Sequence, residues 1–285
     1  QRRWPGNTTN TAVVQLCRGK GKASTTHLHS STAVQLCKGK GKGKPPPKGP
    51  GGGQRMMRVR VKTAAKRSTS SARWLERQLN DPYVVAAKRE GFRSRAAYKL
   101  LEMDDKYRIL KPGQRVVDLG AAPGGWSQIA ADRVKSIDGR GQVVAIDYLG
   151  MEPLAGVEIV ELDFNDPDAE TKLKSMLRDG GADVVLSDMA APTVGHTNTD
   201  HLRIMALAES AAYFAFDVLA PGGTFVCKVF QGGTEKDLLE VLKKSFAVVR
   251  HVKPPASRSD SAELYVVATG FRGRPGDEDP DESTK

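Results

Sequence analysis

The sequence predicts a doubly wound α/β domain with a seven-stranded, mostly parallel sheet, and two observations carry that prediction. From about residue 71 onward, short apolar runs alternate with segments of helical periodicity. Several of those runs, Arg115-Val-Val-Asp-Leu119 and Gln142-Val-Val-Ala-Ile-Asp147 among them, are apolar at almost every position. That is the pattern of parallel strands covered by helices on both faces.

In chain order, short helices are expected over 73–79 and 83–89, with Asp81-Pro82 punctuating them, and an amphipathic helix over 94–107 that Lys111-Pro-Gly113 closes. Strands follow over 115–119, 142–147, 157–162, 183–188, 223–230, 247–252 and 263–269. Helices fall between them over 125–134, 168–179, 201–219 and 234–245. No helix separates the last two strands, so they should pair as a hairpin and make one edge of the sheet antiparallel.

Residues 1–70 read differently. They repeat themselves, Thr11-Ala-Val-Val-Gln-Leu-Cys-Arg-Gly-Lys-Gly-Lys22 against Thr32-Ala-Val-Gln-Leu-Cys-Lys-Gly-Lys-Gly-Lys42, and then run into Pro45-Pro-Pro-Lys-Gly-Pro-Gly-Gly-Gly53. Such a segment buries too little apolar surface to offset its chain entropy, so a disordered basic tail that touches RNA through charge is expected. An organelle transit peptide is the alternative. Residues 271–285 read as a polar, disordered C-terminus, which leaves 71–270 as the domain. The net charge of +11 belongs to the tail: residues 1–75 hold 17 Lys and Arg and no acid, and the remainder carries 27 basic against 33 acidic side chains. The domain is mildly acidic, so its own motifs must make any case for nucleic acid. No apolar run is long enough to span a bilayer, and Cys17, Cys37 and Cys227 have no metal-ligand spacing. No metal is expected, and the cysteine usage suits a reducing, cytoplasmic setting.

The first strand ends in Val117-Asp-Leu-Gly-Ala-Ala-Pro-Gly-Gly-Trp126, whose small residues let a ligand approach the backbone. The second ends in Asp147, where a carboxylate can accept from ribose hydroxyls. This pairing fits S-adenosylmethionine, a dinucleotide, or glycines that serve only the turn. Two details favour S-adenosylmethionine. There is no GxGxxG to cradle a pyrophosphate, because Pro123 occupies part of the turn, and the third strand ends in Asp163, which could meet an adenine edge.

Four charged residues stand where one cleft could collect them: Lys99 in the 94–107 helix, Asp188 ending strand four, Lys228 inside an apolar strand, and Glu263 opening the last strand. Each alone reads more simply as a surface charge or a structural ion pair. A lysine inside an apolar strand is nevertheless costly unless paired.

Five segments together, Gly91-Phe-Arg-Ser-Arg-Ala-Ala-Tyr-Lys-Leu100, Asp118-Leu-Gly-Ala-Ala-Pro-Gly-Gly-Trp-Ser127, Ser187-Asp-Met-Ala190, Lys228-Val-Phe-Gln-Gly232 and Leu264-Tyr-Val-Val-Ala-Thr-Gly270, resemble the FtsJ/RrmJ family of 23S ribosomal RNA uridine 2′-O-methyltransferases. The likeness runs in order over about residues 71–272. It implies a Rossmann-like methyltransferase fold and S-adenosylmethionine as cofactor. It also implies a catalytic Lys99–Asp188–Lys228–Glu263 tetrad and cofactor contacts at Gly124, Trp126, Asp147, Asp163 and Asp188. The partner implied is 23S rRNA in the large ribosomal subunit. The basic tail is longer than the family pattern. Lys228 is expected at the centre of the chemistry, as the base for a ribose 2′-hydroxyl or as the cation that stabilises its oxyanion, with Asp188 and Glu263 orienting it. The basic stretch 88–95 is expected to meet RNA phosphates. A monomer suffices for all of this. Rival readings are a tRNA 2′-O-methyltransferase on the same fold, a non-catalytic ribosome-assembly factor, and a dinucleotide-dependent oxidoreductase.

Overall fold

The structure is a computed structural model, and it describes residues 68–192, 195–231 and 235–274. The expected tail over 1–70 lies, up to residue 67, outside the described residues, as does the C-terminal stretch from 275 onward.

Three helices come first. Helix α1 spans Thr69–Leu79, with the Ser68 side chain accepting from Ser71 N. Helix α2, Pro82–Glu90, starts as the Asp81-Pro82 pair predicts: the Asp81 side chain accepts from Tyr83 N, proline takes the first turn, and Gly91 closes the helix at φ 77. Helix α3, Ala96–Tyr107, buries Ala97, Leu100 and Met103 at helical spacing.

The α/β part then alternates β1 (Arg115–Leu119), α4 (Gly125–Val134), β2 (Gln142–Asp147), β3 (Glu158–Glu161), α5 (Ala169–Met176), β4 (Ala182–Ser187), α6 (Thr197–Val218), β5 (Leu219–Phe230), α7 (Glu235–Ser245), β6 (Phe246–Val252) and β7 (Glu263–Phe271). The seven strands lie in the order β3-β2-β1-β4-β5-β7-β6. Strands β3 to β5 are mutually parallel, and β7 runs antiparallel between β5 and β6. The expected hairpin therefore forms, but it folds back so that its second strand inserts beside β5 and its first becomes the edge. Helix α5 is shorter than its periodicity suggests. Leu177, extended at φ −75 and ψ 132, ends the helix, and a separate 3₁₀ turn follows at Arg178–Gly180, where Asp179 at φ 55 and Gly180 at φ 65 are left-handed.

Strand alternation sends Val117, Leu119, Val185, Phe225 and Cys227 into a core beneath α5, α6 and α7. Val116, Val184, Leu186, Val226 and Tyr265 enter a second core beneath α3 and α4. Lys228 and Asp118 share the parity of this second set and are buried with it. Among the described residues no helix is long and apolar enough to cross a membrane.

Candidate active site

Four elements deliver the four charged side chains to one end of the sheet. Helix α3 carries Lys99, the loop leaving β4 carries Asp188, β5 carries Lys228 near its end, and β7 opens with Glu263. Lys228 Nζ donates to the Asp188 carbonyl at 2.7 Å and lies 3.2 Å from Asp188 Oδ1. Lys99 Nζ sits 2.8 Å from both Glu263 oxygens. These two ion pairs are joined by a residue the sequence reading missed. The Tyr265 hydroxyl accepts from Lys99 Nζ at 2.9 Å and donates to Asp188 Oδ1 at 2.8 Å.

The result is one continuous chain, Lys228–Asp188–Tyr265–Lys99–Glu263, which Ser257 extends by donating to Glu263 Oε1 at 2.8 Å. Tyr265 is the cross-strand partner of Lys228 and follows Glu263 by two residues on the same strand face. A buried tyrosine needs a partner for its hydroxyl, so β-strand alternation beside Glu263 was the signal available for it.

The electrostatics follow from burial and these contacts. For Asp188, burial pushes the carboxyl pKa up. The Lys228 and Lys99 charges and the hydrogen bonds from Tyr265 and Lys228 more than offset that, so it lies below its ordinary value. Burial, then the Asp188 and Glu263 charges, hold Tyr265 well above the usual phenol range, so it stays a donor. Behind them Asp118 is fully enclosed, with Ser127 Oγ donating to its Oδ2 at 2.5 Å and its Oδ1 without a hydrogen-bond partner. Burial first, with help from the Asp188 and Asp147 charges, raises its carboxyl to about 7.

Beside the chain of charges opens a cavity of about 540 Å³, lined by Gly120, Asp147, Leu149, Asp163, Asp188 and Arg203 together with apolar residues such as Phe164 and Met189. That is the size range of a small-molecule cofactor site. Asp147 is fixed by accepting from Ala122 N at 2.9 Å and Leu149 N at 2.8 Å. Asp163 Oδ1 accepts from Asn165 N at 2.9 Å. Gly120, at φ +73, brings the turn so close to Met189 that a Cβ would lie 2.8 Å from the Met189 Cα. Three carboxylates on an apolar wall suit a cationic adenosine compound and repel a pyrophosphate, which weighs against the dinucleotide.

Gly124 and Trp126 do not line this cavity. Gly124 caps α4 at φ 103 with the Arg93 side chain passing over it, and Trp126 is buried with Nε1 donating to Ala96 O at 2.9 Å. Nor is all of the basic stretch 88–95 turned outward. Arg95 bonds the Asp81 carboxylate and Ala256 O, and Arg93 bonds backbone carbonyls, which leaves Lys88 and Arg89 as its exposed cations. Among the described residues no group of three or more His, Cys, Asp or Glu is placed to hold a metal ion.

The FtsJ-like methyltransferase family profile matches residues 92–271. The chain belongs to the FtsJ-like methyltransferases. It is 63% identical over 234 residues to the ribosomal RNA large subunit methyltransferase E of Parvibaculum lavamentivorans, covering 80% of this chain and 92% of the relative. The protein of the same name from Bradyrhizobium diazoefficiens is 67% identical over 217 residues, covering 76% of this chain and 95% of the relative. A crystal structure described as that of a ribosomal RNA methyltransferase from Plasmodium falciparum superposes with a TM-score of 0.57 at 32% identity, covering 64% of this chain and all of that one. As an FtsJ-like methyltransferase, the protein is an enzyme whose methyl donor is S-adenosylmethionine. The acidic, apolar-walled cavity fits that donor.

Proposed function

We propose that this methyltransferase transfers the methyl group of S-adenosylmethionine to the ribose 2′-oxygen of a uridine in 23S rRNA, in the large ribosomal subunit, and acts as a cytoplasmic monomer. The relatives' names supply the substrate class, and the chain of charges beside the cavity supplies the chemistry. The single observation that carries the reading is that Lys228, Asp188, Tyr265, Lys99 and Glu263, from four separate parts of the chain, form one hydrogen-bonded array at the cavity's edge.

When bound, S-adenosylmethionine supplies a sulfonium methyl that is already a strong electrophile. The protein's task is to prepare and aim the oxygen. Lys228 Nζ spends two of its three free tetrahedral positions on Asp188, one on the carbonyl and one on Oδ1. The third is left for the 2′-oxygen. There a neutral amine takes up the hydroxyl proton, and an ammonium stabilises the developing oxyanion. Asp188 aims Lys228, Tyr265 fixes Asp188 against Lys99, and Glu263 holds Lys99 in place. Asp147 and Asp163 are read as acceptors for the ribose and adenine donors of the cofactor, with Asp188 close to both cofactor and substrate. Gly124 and Trp126 serve the cofactor indirectly, by letting the turn after β1 adopt its shape. Residues 71–270 are read as the catalytic domain, 1–70 as a basic arm that adds affinity for RNA through charge, and 271–285 as a polar terminus.

The test offers labelled S-adenosylmethionine with undermethylated large subunits, free 23S rRNA and bulk tRNA, and maps label by resistance to alkaline cleavage. Label at one uridine of the large subunit is expected. Label on tRNA would move the substrate and keep the chemistry. No label with cofactor binding intact would overturn the catalytic reading.

A further inference from the structure

The turn leading into α3 makes contacts that the reaction as described does not use. Arg93 extends its guanidinium across the start of α4. Nη1 donates to Glu152 O at 2.6 Å and Nη2 to Pro153 O at 2.6 Å, while Nη1 also approaches Pro123 O at 3.4 Å. A planar fork with two parallel donors matches two successive carbonyls, and it is then no longer free for a phosphate.

The backbone beneath it is held as firmly. Gln128 on α4 accepts from Arg93 N at 3.0 Å and donates to Gly91 O at 2.9 Å. Gly124 makes the crossing possible, since a Cβ there would stand 3.1 Å from Arg93 Cδ and Nη1. One side chain thus ties together the turn after β1, the loop after β2 and the residues that lead to Lys99.

The loop after β2 matters because its near end builds the donor cavity. Tyr148 and Leu149 line that cavity, yet each is 54% exposed and so has little packing to hold it. Asp147 anchors the near end through Leu149 N, and Arg93 anchors the far end at Glu152 and Pro153. A loop with few buried apolar contacts opens readily unless it is pinned.

We propose that Arg93 is a positioning residue for the methyl donor: its guanidinium straps the 148–153 loop into the conformation that closes the S-adenosylmethionine cavity. This inference rests on the donor and its cavity and does not depend on which RNA is methylated. It also assigns Arg93 a role different from the phosphate contact that the basic stretch suggests.

The experiment measures S-adenosylmethionine binding to the full chain by calorimetry for wild type, Arg93→Ala, Arg93→Lys and, as a control on the same stretch, Lys88→Ala. If the strap holds the loop closed and its loss leaves only a tenth of molecules competent, the apparent Kd rises about tenfold. Arg93→Ala should show that rise with no RNA present. Lysine, with one ammonium and no fork, should recover only part of it. Lys88→Ala should bind the cofactor as wild type does and weaken RNA alone.

Amide exchange gives a second readout. The 148–153 amides should exchange faster in Arg93→Ala and regain protection on saturation with the cofactor, while strands of the core stay unchanged. If Arg93→Ala does not fold, Arg93→Lys with the same two measurements decides. A cofactor Kd within twofold of wild type overturns the proposal. If RNA affinity falls in that same variant, the role passes to phosphate contact. Because neither readout needs methyl transfer, failure of the proposed rRNA activity would leave this test intact.

Discussion

Replacing Tyr265 by Phe removes one oxygen and nothing else from the centre of the site. The ring keeps its place against Trp126, 5.5 Å away between centroids, so the core should close around it as before. What disappears is the bridge between the ion pairs: the 2.9 Å bond from Lys99 and the 2.8 Å bond to Asp188. Hydrogen bonds to charged groups contribute about 1.5–3 kcal/mol each. Both partners keep another contact, Lys99 with Glu263 and Asp188 with Lys228, so the loss should fall towards the size of a single such bond. If that energy is expressed in aiming Lys228, kcat drops roughly 10- to 100-fold. The pH profile should move as well. The Tyr265 bond is one of the causes that hold Asp188 below its ordinary value against burial. An acid with a depressed folded-state pKa stays ionised until the pH falls through that value, so loss of the bond lets Asp188 protonate at higher pH. The acid limb of methylation should therefore shift upward in Tyr265→Phe, and acid unfolding should begin at higher pH. Single-turnover methylation of undermethylated large subunits with labelled S-adenosylmethionine, followed across pH, measures both effects. A variant with kcat within twofold of wild type and an unmoved acid limb would refute the claim that Tyr265 couples the two pairs.

Three further perturbations test other parts of the site. Lys228→Ala should lower the rate by about 10²–10⁴-fold while calorimetry still records cofactor binding, and a rate near wild type would remove Lys228 from the chemistry. Gly120→Ala forces a left-handed backbone, costing about 1–2 kcal/mol, and drives a Cβ to 2.7 Å from Met189 Cγ, so both Tm and cofactor affinity should fall. If neither changes, the close approach of that turn to Met189 is not needed. Asp118, raised by burial to about 7, favours the folded state most when it is protonated. Its contribution should fade as pH rises from about 4 towards 7. Thermal melts should show Asp118→Asn lacking that decline, and parallel wild-type and variant curves would contradict the raised value.

Much of the fold was legible because both periodicities are strong. Strands β1 and β2 and helix α4 begin and end where their apolar patterns and turns say, since a strand covered on both faces announces itself along the chain. Helix α5 ends sooner than its periodicity predicts because the backbone turns extended at Leu177, before the left-handed Asp179 and Gly180, in a pattern that continues through all three. The hairpin of β6 and β7 was legible as a hairpin; its reversed place in the sheet was not. Adjacency in sequence says which strands pair, and only the competition for the edge beside β5 says which of the two goes inside.

The site divides in the same way. Lys99, Asp188, Lys228 and Glu263 stood out as a set, placed where strand ends and one helix could converge; only Lys228, a charge inside an apolar strand, advertises its cost locally. Gly120 in the turn after β1 and the acids Asp147 and Asp163 likewise stood out by residue type at strand ends, and the fold places all three on one cavity. Tyr265 could not be found that way, since a tyrosine in a strand is ordinary and its role depends on hydroxyl distances to Lys99 and Asp188, residues more than 70 positions away. Arg93 and Arg95 show the converse: a basic run looks like a surface for phosphate until the fold supplies Glu152, Pro153, Asp81 and Ala256 as nearer acceptors. Sequence alone determined which residues bear charge and which segments become strands or helices, because those are local properties of the chain. The tertiary structure decided which charges meet, since a hydrogen bond is made or lost over less than an ångström and that distance is set only when the whole sheet is assembled.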